Sequence, residues 1–293
     1  MTRRQWLLAL NVVPLAFSLF LVHRFYLAQP GLNVFAWRNA GVFVALVVMC
    51  VAGYCNSIWR YIMALKHEGA TVDETSISER LMYVNLISFF FPFGVLNYAA
   101  QLAFVYKHNA VRVVGRAFLH DKLVFLTAIA ACALLSLADV GPRFAAALGF
   151  SPALITLGSA IGVAGVIGLA GYLAWRGYTF FLFVQLAVFA GLNALNAVLL
   201  EHYIHTPGGL FAVLQKIFAY SLAVVLPISL GGVGPREAIL LFDVADPALR
   251  AAVLNFCAVW FLALVTAAVL LFVAKRPATA LAVRCYQRWR GRR

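Results

Sequence analysis

The sequence predicts an all-α polytopic integral membrane protein, and three observations carry that prediction. Hydrophobic side chains make up 64% of the 293 residues and charged ones only 11%, against about half and about a quarter in a soluble domain. Mean hydropathy is +0.92. Apolar runs of the ~17–25 residues that cross a bilayer as a helix recur along the whole chain. A water-soluble globule does not fit these values, and no long stretch lacks apolar segments to form a separate soluble domain. The formal charge of +13 would suggest nucleic acid in a soluble protein. Here no soluble face exists to carry a basic patch, and positive-inside placement of Lys and Arg accounts for the excess.

The elements follow in order. Residues 6–22, behind Met1-Thr2-Arg3-Arg4, look like the start of a signal peptide but lack a small-residue cleavage site before His23-Arg24. They read as an uncleaved signal anchor and first span. Residues 41–59, 123–138, 152–175, 178–200 and 251–273 read as further spans, which makes about six. Two apolar regions are interrupted. Residues 81–106 are broken by Pro92 and Gly94, with Asn85, Asn97 and Gln101 around the break. Residues 210–242 are broken by the run from Pro227 to Pro235. Two helical crossings need roughly 40 residues, so the second region is expected to enter, turn and leave on one side.

Charge counting supports treating both regions as re-entrant hairpins with a cytoplasmic N-terminus. Arg3, Arg4, Arg60, Lys66, Arg80, Lys107, Arg112, Arg116, Lys122, Arg176 and the basic residues of tail 275–293 then lie inside, 17 in all against four outside (Arg24, Arg38, Arg143 and Arg250). Sending both regions across the membrane moves the cluster from Lys107 to Lys122 outside and shrinks that asymmetry. The result is one transmembrane domain over 1–293. Half one is 1–140 with hairpin 81–106, half two is 150–275 with hairpin 210–242, and the second repeats the first inverted, as in transporters. Both termini are expected in the cytoplasm, and the protein in the plasma (inner) membrane.

The intervening segments carry less. Cys50, Cys55, Cys132 and Cys257 lie in apolar runs without metal spacing and read as small buried hydrophobes. Residues 62–79 hold most of the cytoplasmic acid (Glu68, Asp73, Glu74, Glu79) and read as a short surface loop with a helical end. Gly158, Gly162, Gly165, Gly168 and Gly171 have the spacing of a close helix–helix contact. Asp121-Lys122, heading a span, reads as an interfacial salt bridge. Glu201-His202-x-x-His205 hints at metal or acid–base chemistry, but it runs into the loop Thr206-Pro207-Gly208-Gly209 and lacks a third ligand with convincing spacing. An aromatic and polar interfacial belt is its ordinary reading.

The richest string is Gly231-Gly232-Val233-Gly234-Pro235-Arg236-Glu237. Glycines let a ligand approach the backbone, and Pro235 suits the first position of a new helix. An unwound loop feeding a half-helix attracts anions through its free amides, and Arg236 adds a bidentate phosphate donor. Gly231, Gly232, Gly234, Arg236 and neighbouring Ser229 therefore form the candidate head-group site. Glu237 either caps the half-helix and neutralises Arg236 or couples to the substrate. Lys216, about two turns into its leg, either snorkels to the surface or joins the site. In the first hairpin Asn97 and Gln101 either bond a head group or hold helices together.

The string from Pro227 to Glu237 resembles the signature of flippase-like proteins related to the transmembrane region of lysylphosphatidylglycerol synthetases. Pro92 with Gly94, and Asp121-Lys122 before a span, resemble that family's other landmarks, over residues 40–273. The family shows an acid and an Arg in the first hairpin where Tyr98 and Gln101 stand here, which removes a second cationic contact. Members that modify lipids carry a further soluble transferase domain, and the tail after Val273 is too short for one. The resemblance therefore implies only movement of phospholipids or lipid-linked anions between leaflets.

The expected function is a flippase-like transporter of an anionic phospholipid or a polyprenyl-phosphate-linked lipid, without catalytic residues, metal or cofactor. No GxxxxGK[ST] occurs, so nucleotide-driven transport would need a partner. The alternatives are a membrane-embedded lipid-phosphate transferase or hydrolase using Glu201, His202, His205 or Glu237, and a non-catalytic scaffold for an enzyme of lipid or envelope biosynthesis.

Overall fold

The computed structural model describes residues 39–88, 109–137, 151–204, 209–225, 235–241 and 244–274. Every described element is a helix: α1 (Ala40–His67), α2 (Glu74–Ser88), α3 (Val111–Leu137), α4 (Pro152–Trp175), α5 (Thr179–Ile204), α6 (Gly209–Val225), α7 (Pro235–Leu241) and α8 (Pro247–Val273). Five of them, α1, α3, α4, α5 and α8, are long and apolar enough to cross a membrane. An apolar environment explains why the backbone is spent on helices, since each amide must find its partner within the segment. The expected first span (6–22), the second leg of hairpin 81–106 and the basic tail lie outside the described residues.

Helix ends follow local chemistry. Asp73 caps α2 by accepting from the Ser76 amide at 3.2 Å, and Asp246 caps α8 by accepting from the Ala248 amide at 3.0 Å. Pro247 occupies the first position of α8, where a missing N–H is harmless. α1 closes at Gly69, whose φ of 81° lets Ala70 N–H reach back to Leu65 O at 2.9 Å. Gly177, also at φ 81°, does the same for α4, with Tyr178 N–H bonding Leu173 O at 2.8 Å. That left-handed turn suits glycine and lets α5 begin at once. α4 and α5 then pack on each other, as do α5 with α6, α6 with α7, and α1 with α2.

Two boundaries depart from expectation. Residues 62–79 are not mainly loop: α1 runs on through His67 and α2 starts at Glu74, leaving a short turn. Tyr61, Ile62, Ala64 and Leu65 are buried, so the apolar face of α1 continues past the run that hydropathy marks. α3 begins at Val111 rather than near 123, because Arg112, Arg116 and Lys122 lower hydropathy without breaking a helix.

The described residues divide into two compact units, one of residues up to 121 together with those from 259 onward, the other of residues 122 to 258. In the first, Thr71 and Asn109 bond reciprocally, Thr71 N–H to Asn109 Oδ1 at 2.8 Å and Asn109 Nδ2 to Thr71 O at 3.0 Å. This pins the α1–α2 turn to the entry of α3.

In the second unit α4 is exposed along most of its span. Of its glycines, Gly162 is in close contact: a Cβ there would meet Leu134 Cδ2 at 3.3 Å, while Gly158, Gly165, Gly168 and Gly171 have open space. The stripe is thus one close approach, not a continuous seam. Cys132 and Cys257 are buried as expected and Cys50 is partly so, but Cys55 is exposed. Replacing Gly162 by Leu is expected to destabilise the protein by about 1–3 kcal/mol through overpacking. Gly168→Leu should be near neutral. Thermal unfolding of both variants in one detergent checks the difference.

Candidate functional site

The second unit holds a small groove of about 20 Å³, lined by Leu200 and Ile204 of α5, Val213 and Lys216 of α6, Leu240 of α7, Val244, and Leu249 and Val253 of α8. Seven of those eight side chains are apolar. The remaining one, Lys216, is half-buried. Lys216 has an interaction partner of its own, and branched aliphatics form most of the lining around it.

The described part of α6 is 17 residues and that of α7 is 7, and the two pack on each other. Pro235 opens α7, as its fixed φ predicts, and Glu237 stands in that first turn. Glu237 is fully buried and has an interaction partner. It lies one turn before Leu240, so α7 carries both a wall of the groove and a hidden carboxylate.

Of the residues singled out from sequence, the structure brings Lys216 to the groove and Glu237 to the adjoining helix. Arg236 belongs to α7 by its backbone, and its side chain lies outside the description, as do Ser229, Gly231, Gly232, Gly234, Asn97, Gln101 and His205. Glu201 and His202 fall in the last turns of α5 and both have partners. Among the described residues no three His, Cys, Asp or Glu side chains come together as metal ligands.

Sequence reasoning missed a polar row on α5. Gln185, Asn193 and Asn196 are all buried and fall at the three- and four-residue spacing of one face. Asn193 donates from Nδ2 to Phe189 O at 2.8 Å and accepts from Ser221 Oγ of α6 at 3.4 Å. Asn255 of α8 donates to the Tyr203 hydroxyl, whose ring lies 5.8 Å from that of Phe256. Amides inside apolar runs were the available signal, but spacing alone does not show which face of α5 turns inward.

The first unit carries a separate ionic cluster. Arg60 Nε meets Asp121 Oδ1 at 2.5 Å, with both side chains almost wholly buried. Glu68 receives His120 Nδ1 at 2.8 Å on one oxygen and lies 3.2 Å from Arg116 Nε on the other. Lys66 pairs with Glu74. Asp121 was expected at the head of a span beside Lys122; it stands instead three turns into α3, against an arginine 61 residues away in sequence. The reason is physical: a carboxylate 1% exposed needs a buried cation with fixed geometry, and Arg60 on α1 supplies a planar donor.

Compared with family models, curated proteins and solved structures, the chain matches none.

The Arg60–Asp121 pair yields a clear expectation. Asp121→Asn or Arg60→Ala leaves one charge buried without its counter-ion and should destabilise by about 3–5 kcal/mol. The double replacement Arg60→Leu with Asp121→Leu should recover much of that loss. Yield of monodisperse protein and thermal unfolding of the two singles and the double provide the measurement.

Proposed function

We propose that this chain is a flippase-like transporter that moves an anionic phospholipid or a lipid-linked phosphate between leaflets. The observation that carries the proposal is the lysine in an otherwise aliphatic groove. A phosphate drawn to Lys216 leaves its acyl chains against Leu200, Ile204, Val213, Leu240 and Val253, so one site serves both ends of the amphiphile. The glycine-rich run before Pro235 and the Arg236 side chain complete the head-group clamp in this reading, with amides and guanidinium as anion donors.

The accompanying topology has two opposed re-entrant hairpins, 81–106 and 210–242, in an inverted repeat within the plasma (inner) membrane, with both termini cytoplasmic. The packing of α6 on α7 supports the second hairpin. Irregular backbone at membrane depth persists where it lines a protected cavity, which is where a polar head group would pass. The basic residues on the cytoplasmic side would concentrate anionic lipid there.

Reconstitution into vesicles with a fluorescent anionic phospholipid tests the function. Lys216→Ala and Arg236→Ala are each expected to lower leaflet exchange about tenfold, the loss of one charge-assisted hydrogen bond, while Lys216→Arg retains most of it. Unchanged exchange in both alanine variants would end the proposal. The topology is tested by single cysteines in a cysteine-free background. Val95→Cys should label only from the cytoplasm and Val233→Cys only from outside; labelling of both from one face refutes the inverted arrangement.

A further inference from the structure

In the first unit one carboxylate faces two cationic groups of different kinds. Glu68 caps the C-terminal end of α1, where the helix dipole disfavours a negative charge, and its side chain is only 6% exposed. An ionised carboxylate only accepts, so His120 donates from Nδ1 to Glu68 Oε1 at 2.8 Å. Arg116 lies one turn earlier on the same face of α3 and comes within 3.2 Å of Oε2. Its Nε makes no hydrogen bond among the described residues, so proximity alone holds it there.

The imidazole side chain is 2% exposed, and imidazole is the group that changes charge between about pH 5 and 8. The guanidinium is 42% exposed and always charged. With His120 neutral, Arg116 supplies the charge that balances Glu68, despite its loose contact. With His120 protonated at Nε2, a buried cation already hydrogen-bonded to the carboxylate does so. Arg116 then gains more from water than from a neutralised partner. The ions nearby are paired among themselves, Arg60 with Asp121 and Lys66 with Glu74 of α2. Of the other charges on these helices, Asp73, Arg80 and Arg112 are exposed and Glu79 and Lys122 half-buried. Residues 259–274 of α8, in the same unit, carry no titratable side chain. His67 adjoins Glu68 in sequence but is exposed.

We propose that Glu68 is the seat of a proton-controlled exchange of counter-ions, in which a proton taken up by His120 makes the imidazolium its buried partner and releases the Arg116 guanidinium to the surface. The switch turns a change in pH into an added surface cation near the start of α3. Contact between α1 and α3 is kept throughout by His120 and by the Arg60–Asp121 pair. None of this depends on the transport reading.

The test labels the full chain in lipid nanodiscs with phenylglyoxal, which modifies accessible arginines. Mass spectrometry reads Arg116 against Arg112, an exposed arginine one turn earlier, at about pH 6 and about pH 8. The ratio cancels the reagent's own pH dependence. In wild type it is expected to be about threefold higher at the lower pH, the weight of one partly exposed ion pair. Glu68→Gln should give the high ratio at both pH values and His120→Gln the low ratio at both, with His120→Phe as the second neutral variant should the first not fold. A wild-type ratio that ignores pH overturns the proposal, as does a Glu68→Gln ratio that still follows pH. So does an equal response once His120 is replaced, which would move the effect to His67.

Discussion

A polar atom in hydrocarbon has no solvent to fall back on, and most of what is specific in this protein follows from that constraint. It places backbone amides in helices and sets Arg60 against Asp121, where two charges share one buried contact. Such a pair is not a large source of net stability, because desolvating both ions offsets much of their attraction. Its effect is selective: arrangements that separate the two leave a bare charge in an apolar interior. The Glu68 cluster extends the same logic to the end of α1, where one carboxylate serves His120 and Arg116.

The same constraint gives meaning to the second unit. Asn193 and Ser221 satisfy each other across α5 and α6, which holds the two helices in register. α6 and α7 pack together, and with α5 and α8 they line a small groove of aliphatic side chains with one lysine among them. In the proposed transport cycle, the amphiphilic lining lets a charged head group and its chains be bound by different atoms of one groove.

Much of the architecture was legible along the chain because it is local. The α4 span appears at the bounds its apolar run marks, Pro152–Trp175. Pro235 starts α7 as read from the sequence, while α8 begins at Pro247, four residues before the run at 251 that hydropathy marks, since a proline's missing N–H and fixed φ act within a single turn. The limits of hydropathy show where charged residues continue a helix. α1 extends to His67 and α3 begins at Val111, because helix propensity tolerates Arg and Lys that lower the apolar average. Of the candidate site, Lys216 and Glu237 were visible as charges in an apolar region, whereas the buried amide row of α5 was not.

By itself the sequence determined a helical membrane protein and the position of its apolar runs. Composition, hydrophobic length and proline chemistry act on residues that are neighbours in the chain. Only the tertiary structure decided that Asp121 answers to Arg60 rather than Lys122, that Gly162 alone among the described α4 glycines meets a close neighbour, and that Lys216 shares a groove with α5, α7 and α8. Those outcomes depend on which faces of distant helices meet. In an interior without water, that choice is made by matching buried polar groups and packed volumes, and neither can be read from spacing along one strand of chain.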